Sequence, residues 1–101
     1  MFGLYPTSFN ELVSIFENHK NIDEVLVYGS RAMGNFKNGS DIDLTLIGLI
    51  DYHELYRIKD EIEESKIPYK VDISIHSKLS SESLKVHIAR VGKVFYKRNE
   101  I

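Results

Sequence analysis

The feature that most constrains this chain is a pair of short segments in which apolar and polar residues alternate. In the first, Ile42 to Ile47, the residues Ile42, Leu44 and Leu46 fall on one side, while Asp41, Asp43 and Thr45 fall on the other. In the second, Tyr69 to Ile75, opened by Pro68, the residues Val71, Ile73 and Ile75 share one side, and Asp72, Ser74 and His76 share the opposite one. Successive side chains of a β-strand point to opposite faces. Each segment therefore reads as a strand with one apolar face and one acid-bearing polar face. If the two strands are neighbours, their apolar faces meet a helical layer and their acids collect on the open side.

The rest of the chain supplies that helical layer. Phe9, Leu12, Val13 and Phe16 recur at helical spacing after Thr7 and Ser8, which read as N-caps. Glu24 to Tyr28 is a β-branched and aromatic run that stops at Gly29, hence a strand, and Asn35 to Ser40 is a loop. Tyr52 to Glu64 places Leu55, Ile58 and Ile62 on one helical face, and Ser81 to Val91 does the same with Leu84, Ile88 and Val91 before Gly92. Lys93 to Lys97 adds an edge strand. The order α-β-α(short)-β-α-β-α-β predicts a layered α/β (α+β) sheet protein with helices packed on one face. At 101 residues the expectation is a single domain, residues 1–101.

The acids decide what such a sheet can do. Three carboxylates on one open face repel each other and raise one another's pKa values unless a cation compensates them. Magnesium takes hard oxygen ligands and shares them with substrate phosphates. Asp41 and Asp43 lie about 6–7 Å apart along a strand, close enough to converge on one ion or bridge two, with Asp72 completing the set. A second element, Gly29–Ser30, stands where the first strand gives way to a short helical or turn segment. Glycine admits close backbone approach, N–H groups at a helix start attract phosphate, and the Ser30 hydroxyl can donate to it. Arg31 and Lys37 are nearby cations that could touch the anion, although each taken singly reads as a solvated surface charge. Taken separately, Gly29–Ser30 is a turn and Asp41-Ile42-Asp43 a solvated strand edge; together, with Asp72 on the matching face of a later strand, they describe a site for a metal-bound nucleoside triphosphate. His76 reads as a surface residue, and His19, His53 and His87 as structural or exposed. Tyr28 is expected to pack beneath the Gly-Ser turn.

Composition narrows the partners. A net charge of −2 speaks against a non-specific nucleic-acid binder. With no cysteine there is neither a disulfide framework nor a thiolate metal site. The apolar runs are too short to span a bilayer, and Met1 to Asn10 lacks the features of a signal peptide, so a cytoplasmic protein is expected.

The stretch Val27-Tyr28-Gly29-Ser30-Arg31-Ala32, followed by Ser40-Asp41-Ile42-Asp43-Leu44, resembles the signature of the DNA polymerase β-like nucleotidyltransferase superfamily, and is most similar to its minimal nucleotidyltransferase (MNT) branch. Val71-Asp72-Ile73 stands where that family has its third carboxylate, and Ile88 to Tyr96 is similar to the ends of such proteins. The resemblance implies a mixed sheet with helices against one face. It implies that Gly29 and Ser30, with Arg31 beside them, bind the triphosphate, and that Asp41, Asp43 and Asp72 bind magnesium. Many family members have a second arginine where this chain has Met33, so one phosphate contact would be absent here.

The function expected from these residues and that resemblance is transfer of AMP from ATP to a hydroxyl on a partner protein, by two-metal, in-line attack at the α-phosphate. Asp41 and Asp43 would hold the ion that carries the triphosphate, all three acids the second ion, and Asp72 would help deprotonate the acceptor. MNT-like proteins resemble the antitoxin halves of toxin–antitoxin pairs whose partner is an all-helical HEPN ribonuclease, which makes such a protein the expected partner. The alternatives are a non-catalytic module that silences a helical partner by contact, or the nucleotide-binding subunit of a small-molecule nucleotidyltransferase. An acceptor pocket needs walls that this short chain does not supply; they would come from a partner or an oligomer.

Overall fold

The computed structural model describes residues 1–99. Its elements follow the order α1 (Pro6–Glu17), β1 (Ile22–Tyr28), α2 (Ser30–Met33), β2 (Ile42–Gly48), α3 (Tyr52–Glu64), β3 (Val71–Ile75), a 3₁₀ turn (His76–Lys78), α4 (Glu82–Val91) and β4 (Lys93–Lys97). The four strands form one sheet in the order β3-β2-β1-β4. β1 runs antiparallel to both β2 and β4, and β2 runs parallel to β3, so the sheet is mixed. β4 takes an edge, as its position after α4 suggested, and β3 takes the other.

The alternation that defined β2 and β3 sorts their side chains as expected. Ile42, Leu44 and Leu46 are fully buried, and Ile73 and Ile75 nearly so. They join Val25 and Val27 of β1, Leu12 and Phe16 of α1, and Leu55, Ile58 and Ile62 of α3 in one apolar cluster. Burying each of these aliphatic side chains contributes about 1.5–3 kcal/mol. The expected mixed sheet forms, with α1 and α3 layered on its apolar face. α4 is an addition at the β1 side of the other face, where its His87 meets Tyr28. Its own buried anchor, Ile88, stands outside the main cluster.

Several boundaries differ from expectation for local reasons. α1 begins at Pro6, with Tyr5 as its N-cap and no side-chain cap bond. Proline suits the first helical turn because its missing N–H would have no partner there. Thr7 and Ser8 are therefore inside the helix rather than capping it, and Ser8 is buried. β1 begins at Ile22, past an irregularity in its pairing with β2 between Ile22 and Glu24 that hides it from a period-two reading. β3 begins only at Val71. Side chains cap α3 and α4: Asp51 accepts from the Glu54 N–H at 2.8 Å, and Ser81, expected inside its helix, stands before it and accepts from the Leu84 N–H at 3.2 Å.

His19, read as structural or exposed, is a buried tie between the end of α1 and α3. Its Nδ1 lies 3.0 Å from a Glu54 carboxylate oxygen and its Nε2 2.5 Å from one of Glu61. Each ring nitrogen thus has its own carboxylate from α3.

Candidate active site

Three neighbouring strands set one level of the acid-bearing face. Tyr28 of β1 pairs with Asp43 of β2, and Asp43 pairs with Asp72 of β3. Directly paired residues point to the same side of a sheet, so Tyr28, Asp43 and Asp72 stand in a row. Asp41 lies two residues before Asp43 and thus on the same side. Asp41 and Asp72 are exposed, while Asp43 is half-buried. One step further along the strands, Ser74 donates to the fully buried Thr45 hydroxyl at 3.0 Å. This supports the floor beneath the acids and leaves no orphaned hydroxyl there.

The electrostatics record the crowding. The Asp43 carboxyl is raised above its ordinary range, first by burial, then by the charges of Asp72 and Asp41. The Tyr28 phenol is also pushed up, first by burial, then by Asp43, against a stabilising contact with Ser74. The row favours added positive charge.

Gly29 follows Tyr28 at the end of β1, with φ 73° and ψ −155°, a combination essentially restricted to glycine. A Cβ on Gly29 would occupy the space of an Asp43 carboxylate oxygen. The Gly29–Ser30 turn therefore lies directly on the acid row. The Gly29 carbonyl accepts from the Ala32 and Met33 N–H groups at 3.2 and 3.1 Å, which closes the single turn of α2. On its other side the Gly29 N–H donates to His87 Nε2 at 3.2 Å.

These residues fit a hard divalent cation. The donors are carboxylate oxygens, their mutual repulsion asks for a cation, and the absent side chain at Gly29 keeps Asp43 uncovered. Among the described residues, however, no three acidic or histidine side chains are already gathered into a metal-binding group. Asp41, Asp43 and Asp72 share a face rather than a preformed cage.

Arg31 is placed differently from its reading as a solvated charge beside the phosphates. It is only 3% exposed. Its Nε and one terminal nitrogen donate to the Ser40 carbonyl at 3.0 and 2.9 Å, and its other terminal nitrogen donates to the Phe2 carbonyl at 3.0 Å. The guanidinium also lies near the rings of Phe36 and Tyr69, at 4.9 and 5.0 Å from their centroids. It fastens α2 to the N-terminal segment and to the loop that delivers Asp41, an arrangement suited to its planar fork of donors. Lys37 and Met33 are exposed. His76 is half-buried at the end of β3.

Two residues of this region carried more than the sequence reading gave them. Tyr28 belongs to the acid row itself. His87, read as structural or exposed, reaches the Gly29 backbone. Its position three after Leu84 and four before Val91 places it on the packed stripe of α4, a spacing that could have flagged it.

The family described as polymerase beta, nucleotidyltransferase matches residues 10–101. Similar solved structures include a toxin–antitoxin complex with AMP-PNP (TM-score 0.71, 16% identity, covering 89% of this chain and 73% of that one). Another is a tri-AMPylated Shewanella oneidensis HEPN toxin in complex with its MNT antitoxin (TM-score 0.65, 15% identity, 91% of this chain and 71% of that one). A putative nucleotidyltransferase from Sulfolobus solfataricus is also similar (TM-score 0.54, 18% identity, 95% and 92%). At these identities the likeness is one of fold. No curated protein matches the chain. The family match over nearly the whole length, on a sheet whose acid row abuts a Gly-Ser turn, shows that this chain belongs to the polymerase beta nucleotidyltransferase family and is a nucleotidyltransferase domain.

Proposed function

We propose that this domain transfers AMP from ATP to a hydroxyl of a HEPN-like helical partner protein, a tyrosine first among candidates, as the antitoxin half of a toxin–antitoxin pair. The observation that carries the reading is the register of Asp43 against Asp72 on adjacent strands, with Gly29 pressed onto Asp43. The fold likeness supports the choice of nucleotide and acceptor, since similar structures hold AMP-PNP in one case and an AMPylated HEPN toxin in another.

In this reading the Gly29–Ser30 turn receives the triphosphate, with the Ser30 hydroxyl donating to a phosphate oxygen. Asp41, Asp43 and Asp72 hold magnesium, which when bound neutralises the triphosphate and lowers the pKa of the acceptor hydroxyl. The acceptor oxygen forms a bond to the α-phosphorus as the bond from that phosphorus to the bridging oxygen breaks. Pyrophosphate leaves with the electron pair, and the hydroxyl proton passes to Asp72. A tyrosine suits this chemistry because its ordinary pKa, about 10, lies well below that of an aliphatic alcohol. Arg31 acts at one remove, by fixing the segment from which Asp41 emerges. The domain provides the nucleotide half of the site and the partner provides the acceptor wall. Dependence on ATP sets the reaction in the cytoplasm.

The test is intact mass spectrometry of the partner, co-expressed with the wild-type domain and with Asp43→Asn. AMP additions present only with the wild type support the reading. A partner that stays unmodified yet is inhibited by stoichiometric binding would replace it with a non-catalytic binding module.

A further inference from the structure

We propose that His87 is a positioning residue of this site: it holds the main chain of Gly29 against Asp43 and thereby sets where Ser30 meets the nucleotide. The inference rests on the Gly29–Ser30 turn as the phosphate-binding element, and adds to it a residue 58 positions further along the chain.

The need for such a residue follows from Gly29 itself. Glycine at φ 73° and ψ −155° avoids the strain any other residue would suffer there, yet it is also the residue most free to leave that conformation. Its geometry must be imposed by its surroundings. On the carbonyl side the imposition is local, from the Ala32 and Met33 N–H groups. On the amide side it comes from His87 Nε2, which accepts the Gly29 N–H.

The imidazole is itself held. It lies edge-on to the Tyr28 ring, with centroids 6.1 Å apart and planes at 81°. It rides on α4, a helix capped by Ser81 and anchored by the buried Ile88. The rigid helix thus fixes the ring, the ring fixes the glycine amide, and the glycine lies against the carboxylate of Asp43. α4 reaches no other part of the Gly-Ser turn by a side-chain hydrogen bond among the described residues, so His87 carries this link alone.

The test compares wild type, His87→Ala and His87→Gln. Glutamine can present its amide oxygen close to where Nε2 stood, so it restores the acceptor without the ring. Three quantities are read: hydrogen exchange of the Gly29 amide without nucleotide, affinity for a non-hydrolysable ATP analogue with magnesium, and the thermal midpoint. The alanine variant should exchange the Gly29 amide at least about tenfold faster and bind the analogue about tenfold more weakly, the effect of losing one part-buried hydrogen bond. The glutamine variant should recover most of both. A residue that merely packed the helix would lower the midpoint in both variants and give no recovery. Unchanged Gly29 exchange in His87→Ala, or unchanged analogue affinity, overturns the inference. If the wild type binds no nucleotide at all, the proposed function falls and this inference falls with it; if it binds and His87→Ala binds equally well, only this inference falls.

Discussion

Replacing Gly29 by alanine should cost far more than a methyl group at a surface turn normally would, and the structure allows the loss to be divided. The backbone at φ 73° and ψ −155° belongs to a region essentially closed to residues with a Cβ, at a cost of about 1–3 kcal/mol. The new methyl would also occupy space held by the Asp43 carboxylate, and relieving such overpacking costs about 1–3 kcal/mol more. A combined loss of about 3 kcal/mol would lower the melting temperature of a domain this size by about 12–24 °C. Gly34 is the internal control. It also has a positive φ, 81°, but nothing lies within 4 Å of the Cβ position, so Gly34→Ala carries the backbone strain alone, about 1–2 kcal/mol. The carboxylate's share is isolated by a double-mutant cycle with Asp43→Ala, which removes the obstructing oxygens. Thermal denaturation of the four proteins should give a coupling of at least about 1 kcal/mol between positions 29 and 43. Gly29→Ala no less stable than Gly34→Ala, or a cycle with no coupling, would refute the claim that the turn rests on the acid row.

Two further outcomes follow from the same geometry. Because the Asp43 carboxyl is raised in the fold, the folded chain holds that proton more tightly than the unfolded chain. The penalty from its charge is thus fully present above the folded pKa and disappears as pH falls below the ordinary carboxylate range. Metal-free Asp43→Asn should therefore be more stable than wild type at neutral pH, with the gap closing towards pH 4, and magnesium should stabilise the wild type only; melting curves across pH, with and without magnesium, check both. Arg31→Lys keeps the charge but cannot donate to Ser40 and Phe2 carbonyls at once, so it should destabilise by about 2–3 kcal/mol. Denaturant titration would measure this, and a lysine variant of full stability with weakened ATP binding would instead make Arg31 a phosphate ligand.

The acid row was readable because strand periodicity is a rule about faces: once Ile42, Leu44 and Leu46 were assigned inward, Asp41 and Asp43 had to point outward, and Ile73 and Ile75 did the same for Asp72. The span of α3 was readable for a similar reason, since it is set by contacts within a few residues. Arg31 was not. Its partners are main-chain carbonyls from two loops, and a carbonyl has no identity in a sequence. His87 was hidden because a histidine on a packed stripe looks the same whether it meets a side chain or a backbone amide. The seating of β4 beside β1 depends on which edge α4 leaves open, and that is decided by tertiary packing.

The parallel pairing of β2 with β3 has a consequence for how such a domain can vary. To run parallel, the chain must leave β2 at Gly48, cross through α3 and re-enter at Val71, and α3 packs on the face away from the acids. The distance between Asp43 and Asp72 is therefore governed by strand register and is indifferent to the length of the crossing. Residues added around the exposed Lys66, where the chain turns with φ 57°, would lengthen the molecule and leave the two acids where they are. One residue added within β3 would do the opposite, turning Asp72 toward the apolar layer and an isoleucine or valine toward solvent. Drift in size is thus tolerated along the crossover, while inside the strands a single insertion abolishes the acid row outright.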